Sequence, residues 1–150
     1  MLYSRRVIMS LIGATTALHA LPLRAGRLRI ATDNLGVAID GYDTTAYWQQ
    51  SAARRGDAAF WVQWRDVPWH FTRQATADHF AATPEALAPH FGGFCTRAMS
   101  FGKVVNGDPE VWRIYAGRLY LFAQPVGGEK FDAGQDAMIA AAQEHWNTLA

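Results

Sequence analysis

The chain has one cysteine, Cys95, in the stretch GGFCTRAMSFGK between Gly92 and Lys103. Met99 follows four residues later and His90 precedes it by five. Positions i and i+4 share a helix face, so a thiol and a thioether would lie side by side. A thiolate with a thioether suits Cu(I), and an imidazole could complete the donor set. Cys95, Met99 and His90 are therefore the candidate metal ligands, with a copper-like soft ion as the possible cofactor. Two other readings of Cys95 stand beside this one. A free cysteine often packs as a small, inert hydrophobe, and the Gly92-Gly93 corner invites close packing. Alternatively, with Arg97 or Lys103 nearby, the thiol could cycle through a sulfenic state or a mixed disulfide.

Other residues carry weaker signals. In the GYD turn Asp43 is a helix N-cap, worth about 1 kcal/mol, and Tyr42 packs; a functional reading would place Asp43 in a pocket with Cys95. Asp108, before Pro109, reads as a turn former. Trp112, Tyr115 and Tyr120 read as sheet packing. Trp48 and Trp69 could line an apolar pocket for a small ligand. No two of His70, His79, His90 and His145 have metal-ligand spacing on one helix. Ser100 lacks the Gly-x-Ser-x-Gly context of a hydrolase, and there is no phosphate loop or dinucleotide fingerprint. One cysteine excludes an intramolecular disulfide and a Cys-only zinc site. The residues point to a binding module rather than an enzyme.

The elements that must position these groups follow from patterning. Residues 26–35 read as an extended lead-in and Val37–Ile39 as a short strand. Asp43 starts a short helix carrying Tyr47 and Trp48. Phe60–Trp64 and Val67–Phe71 are aromatic and β-branched around Arg65-Asp66, a hairpin pattern. Thr72 is expected to cap a helix through Ala82, and Thr83-Pro84 starts another. VWRIY and RLYLFA form a second hairpin around Ala116-Gly117. The spacing of Asp132 and Gln135 is that of a capping box. Beyond it, Met138, Ile139, Ala142, Trp146 and Leu149 share one face of a C-terminal helix. No internal repeat is read from the sequence. The order gives a small single-domain α+β fold, with helices packed on an antiparallel sheet of hairpins.

The 150 residues are 50% hydrophobic and 13% aromatic, enough for one domain with a real core. Residues 1–25 differ from the rest. They contain no acidic residue, begin with Arg5-Arg6 and continue through an apolar run from Val7 to Leu23. That is the layout of an export signal. SRRVIM resembles the twin-arginine bacterial export motif, which implies a periplasmic or secreted protein, either cleaved after Ala25 or held by an uncleaved N-terminal anchor. The run is interrupted by Gly13, Thr15 and Thr16 and falls short of a membrane span. Without Arg5, Arg6 and Arg24 the chain carries 11 basic residues against 13 acidic. No basic cluster for nucleic acid remains.

Three segments together match a known pattern: AIDGYDTTAYW, the run from WHFTRQ to MSFGK, and GDPEVWRIYAGRLYLF. They hold a Gly-Tyr-Asp turn, Gly-Gly-aromatic-Cys, Met-Ser-x-Gly, Asp-Pro-x-x-Trp and Gly-x-Leu-Tyr-Leu. The chain resembles the stand-alone bacterial YHS-domain proteins over Gly36 to Trp146. Thr44 stands where that family has Pro, and Thr96 where it has Ala. The resemblance implies one YHS-like domain over residues 36–150. It marks Tyr42, Asp43, Gly92, Gly93, Asp108 and Trp112 as its signature. Related modules fused to metal-transporting ATPases imply heavy-metal binding.

Overall fold

The computed structural model describes residues 29–149; the expected export segment, residues 1–25, lies outside the described residues. The elements run α1 (Thr44–Gln50), β1 (Asp57–Trp64), β2 (Val67–Phe71), α2 (Gln74–Ala82), α3 (Pro84–Leu87), α4 (Thr96–Ser100), β3 (Asp108–Tyr115), β4 (Arg118–Phe122), α5 (Pro125–Asp132) and α6 (Gln135–Thr148). Short 3-10 corners at Ile39–Gly41 and His90–Gly93 precede α1 and α4. The small α+β domain expected from patterning is what forms. The two antiparallel hairpins stay separate, β1 with β2 and β3 with β4.

The fold is a duplicated unit, contrary to the expectation of no repeat. Three successive residues with positive φ turn the chain in each half: Ile39, Asp40 and Gly41, then Phe91, Gly92 and Gly93. The next residue bridges forward, Tyr42 to Arg55 and Phe94 to Asn106. The residue after that caps a helix, Asp43 for α1 and Cys95 for α4. Its own N–H donates across the loop, to Arg54 O at 2.8 Å and to Val105 O at 2.7 Å. Gly56 N–H reaches Gly41 O at 2.8 Å, and Gly107 N–H reaches Gly93 O at 3.0 Å. The carboxylates of Asp57 and Asp108 each accept the N–H two residues on, both at 2.8 Å. Each hairpin bulges at the same place, between Asp57 and Trp61 and between Asp108 and Trp112. Each turns through two positive-φ residues, Arg65-Asp66 and Ala116-Gly117, as a two-residue hairpin loop with the right-handed twist requires. Each ends in a helix that buries one phenylalanine, Phe80 in α2 and Phe131 in α5.

This repeat of about fifty residues hides in the sequence because backbone geometry carries it. Few side-chain identities recur: Gly41 and Gly93, Thr44 and Thr96, Ala46 and Ala98, Gly56 and Gly107, Asp57 and Asp108, Trp61 and Trp112, Phe71 and Phe122, Phe80 and Phe131. The halves diverge after their second helix, into four-residue α3 in one and fourteen-residue α6 in the other.

β4 is the wall between two cores. Leu119 and Leu121 face a cluster with Tyr47, Trp69, Phe71 and Phe80. Tyr120 and Phe122 face a second with Phe91, Met99, Phe131 and Ala142. Strand alternation sends successive side chains to opposite faces, and all four are buried. The expected stripe of α6 packs into the second core through Met138, Ile139, Ala142, Trp146 and Leu149.

Several local expectations change. Thr72 does not cap α2; Arg73 holds that position without a side-chain bond, and the Thr72 hydroxyl donates to Asp43 at 2.8 Å. Asp132 closes α5 and pairs with Arg113 at 2.8 Å, leaving Gly134 as the N-cap of α6. The segment PVGGEKFD, rich in poor helix formers, is helical because its glycines permit close approach. A Cβ on Gly127 would sit 3.0 Å from Phe122, and one on Gly128 3.0 Å from the Arg113 guanidinium. Within the expected lead-in, Ala31 is buried, and the Asp33 carboxylate accepts from Leu35 N and Val37 N in a tight turn.

Two glycines separate backbone strain from crowding. Gly93 (φ +86) would place a Cβ 2.6 Å from Ile39 Cγ2, whereas Gly117 (φ +71) has nothing within 4 Å. Gly117→Ala is expected to cost about 1 kcal/mol for the left-handed backbone alone, and Gly93→Ala about 3 kcal/mol. Urea denaturation of the two variants checks the order; equal losses would contradict the packing.

Candidate functional site

Cys95 is 5% exposed and caps α4, its Sγ accepting the Ala98 N–H at 3.4 Å. A bridge to Leu121 ties it to β4. Cys95 also lines an open groove of about 300 Å³. One wall comes from α4 and the segment after it: Arg97, Ala98, Phe101 and Lys103. The other comes from the β4–α5 connection: Ala123, Gln124, Val126 and Gly127.

The duplication explains why this corner is open. In the first half the matching cap, Asp43, is fully buried. It accepts four hydrogen bonds: from Thr45 N at 2.9 Å and Thr45 Oγ1 at 2.6 Å, and from Thr72 N and Oγ1, both at 2.8 Å. Those bonds clamp the start of α1 to the end of β2. In the second half Cys95 replaces Asp43, Arg97 replaces Thr45 and Ala123 replaces Thr72. A thiol is a weak acceptor and an alanine side chain donates nothing, so the clamp is missing and a groove takes its place. The neighbouring threonines diverge too. Thr44 Oγ1 donates to Leu87 O at 2.6 Å, while Thr96 Oγ1 is buried without a partner among the described residues.

The groove is amphipathic. Arg97 and Lys103 line it with no carboxylate among its residues. Phe101 is 68% exposed and Val126 39%. The Arg97 guanidinium lies 5.8 Å from the Phe101 ring centroid. Val104 and Val105 extend the exposed apolar surface along the same segment.

Of the three expected metal donors, Cys95 and Met99 lie together and His90 lies apart. Met99 packs with Cys95 in one core cluster, fully buried, its N–H donating to Cys95 O at 2.9 Å. His90 opens onto a different cavity, with Trp64, Arg118 and Trp146. Among the described residues no group of three or more His, Cys, Asp or Glu side chains could hold a metal ion. These residues do not form a ready ligand set.

The remaining signature residues hold the two halves together. Tyr42 donates to Glu110 at 2.8 Å and carries the Arg55 guanidinium 4.8 Å over its ring. Trp112 meets Tyr47 edge-on at 5.2 Å, and Tyr47 O–H donates to Pro109 O at 2.9 Å. Burial raises the Tyr47 phenol far above its usual range, so it is a permanent donor. Asp108 fixes the hairpin start. Gly92 is required because a Cβ there would overlap the Arg29 carbonyl. Asp43 does not share a pocket with Cys95; it occupies the equivalent place in the other half. Trp69 is fully buried, and Trp48 donates to Leu87 O at 3.2 Å; neither lines the groove. Sequence reasoning named Cys95, Arg97 and Lys103 but missed Phe101, Ala123, Gln124 and Val126. Only recognition of the repeat could have paired Cys95 with Ala123.

Comparison with known proteins finds no matching family model, curated protein or solved structure. No helix among the described residues is long and apolar enough to cross a membrane.

His90 gives a pH test of this packing. Its ring lies 4.2 Å from Phe91 and edge-on to Tyr120 at 5.4 Å. Burial, and then the charge of Arg118, hold its pKa below the usual 6.5. The unfolded chain therefore binds the proton first as pH falls. The His90 contribution to stability is complete above about pH 6.5 and is lost as pH drops from there through the lowered folded value. Denaturation between pH 7.5 and 5 should show that decline in the wild type and a flatter profile in His90→Gln.

Proposed function

We propose that this chain is an exported, single-domain binding module that holds a small amphipathic anion in the groove over Cys95. The observation that carries the reading is the groove's lining. Arg97 and Lys103 stand beside exposed Phe101 and Val126, with no carboxylate to oppose an anion. A carboxylate would take charge-assisted hydrogen bonds from Arg97 and Lys103, and a short hydrocarbon tail would cover Phe101 and Val126. Cys95 lines the groove and caps α4. A volume of about 300 Å³ lies at the small end of ligand sites, which favours a short-chain acid. Export is supported by Arg5-Arg6 and the apolar run that follows. The motif resemblance to YHS-domain proteins is compatible with a non-enzymatic binding role.

Calorimetric titration with octanoate tests the reading, with octylamine as the charge-reversed control. Octanoate is expected to bind one to one, and octylamine not at all. Arg97→Gln should weaken octanoate roughly tenfold, the loss of one charge-assisted bond worth about 1.4 kcal/mol. Equal binding of acid and amine, or none of either, would overturn the proposal. One Cu(I) per chain, lost in Cys95→Ser, would establish the soft-metal module instead.

A further inference from the structure

A second cavity, of about 300 Å³, lies where five separated stretches of chain meet. Ile30 comes from the lead-in, Trp64 and Arg65 from the end of β1 and its hairpin turn, His90 from the second 3-10 corner, Arg118 from the start of β4 and Trp146 from α6. Glu85 of α3 lines it as well. Both halves of the duplication contribute, and the groove over Cys95 shares none of these residues.

We propose that this cavity is a binding site for an aromatic monocarboxylate. The indoles of Trp64 and Trp146 are both partly buried and both line it, so a planar ring can stack or meet them edge-on, the arrangements aromatic pairs favour. Arg65 lies 4.3 Å from the Trp64 ring centroid, making ring and cation one wall. Arg118 supplies a planar fork that matches a carboxylate in bidentate fashion. The Arg118 side chain has no carboxylate within ion-pair distance among the described residues. Charge selects the class of anion. Arg65 and Arg118 against Glu85 leave one positive charge in the lining, which balances a monoanion and leaves a phosphate dianion in excess. His90 adds a third ring, already packed on Phe91 and Tyr120.

The test is ¹⁹F NMR titration of the full chain with 4-fluorobenzoate at pH 7.5. Saturable broadening or shift of the fluorine signal is expected. Cyclohexanecarboxylate, equal in charge but without a ring face, should compete at least tenfold less well than benzoate. Arg118→Gln, at an exposed position, should weaken binding about tenfold, and Arg97→Gln should leave it within twofold. Absence of binding would overturn the proposal, as would indifference to Arg118→Gln. A loss confined to Arg97→Gln would assign the ligand to the groove over Cys95 and also overturn it. Because octanoate binding reads through Arg97 and 4-fluorobenzoate through Arg118, either site can fail without the other.

Discussion

The buried carboxylate of Asp43 is the interaction against which the rest of the structure is set. A carboxylate without solvent must have its oxygens satisfied by donors, and Thr45 and Thr72 supply them from both backbone and hydroxyl. That clamp fixes helix to strand in the first half, where α1 also packs on α2 and α3 and sets Tyr47 against Trp112 and Pro109. The second half keeps the same backbone path but loses the clamp. Cys95 offers one weak sulfur acceptor to Ala98. Helix α4 is instead held by α6, its main packing partner, while the corner beside Ala123 stays open. The missing clamp, the open groove and the long C-terminal helix thus all fall on the same half.

β4 joins these two solutions. Its four buried side chains alternate between the cores, Leu119 and Leu121 one way and Tyr120 and Phe122 the other. A strand buried on both faces reads as a near-continuous hydrophobic run, as RLYLF does. Around it the Tyr47 bond to Pro109 and the Tyr42 bond to Glu110 tie the start of the first half to the hairpin of the second. The GYD and DPEVW motifs are thereby explained as joints between halves. Both cavities form where the halves differ: one where a clamp is absent, the other where α6 and the two hairpin ends meet.

Much of the fold was legible because it rests on local patterns. Both hairpins, the Asp43 cap, the Pro84 helix start and the face of α6 follow from alternation, capping chemistry and helical period. What escaped was non-local or carried by backbone. Thr72 looks like a cap in sequence, yet its hydroxyl is taken by a carboxylate far back in the chain. Helix α5 opens with Pro-Val-Gly-Gly, and only its contacts with Phe122 and Arg113 make those glycines useful there. The repeat was invisible because positive φ values and bulges recur while few side-chain identities do. The site suffered most: Cys95 drew attention as a reactive type, but its meaning comes from the aspartate that holds its place in the other half.

The most direct measurement is octanoate binding, followed by ¹H–¹⁵N NMR, in the double variant Cys95→Asp/Ala123→Thr. It rebuilds in the second half the acceptor and hydroxyl that close the first. The account predicts a folded protein, with amide shifts confined to the groove, that no longer binds octanoate. A folded double variant that binds octanoate as the wild type does would contradict the claim that the groove over Cys95 is the open counterpart of the Asp43 clamp and the ligand site.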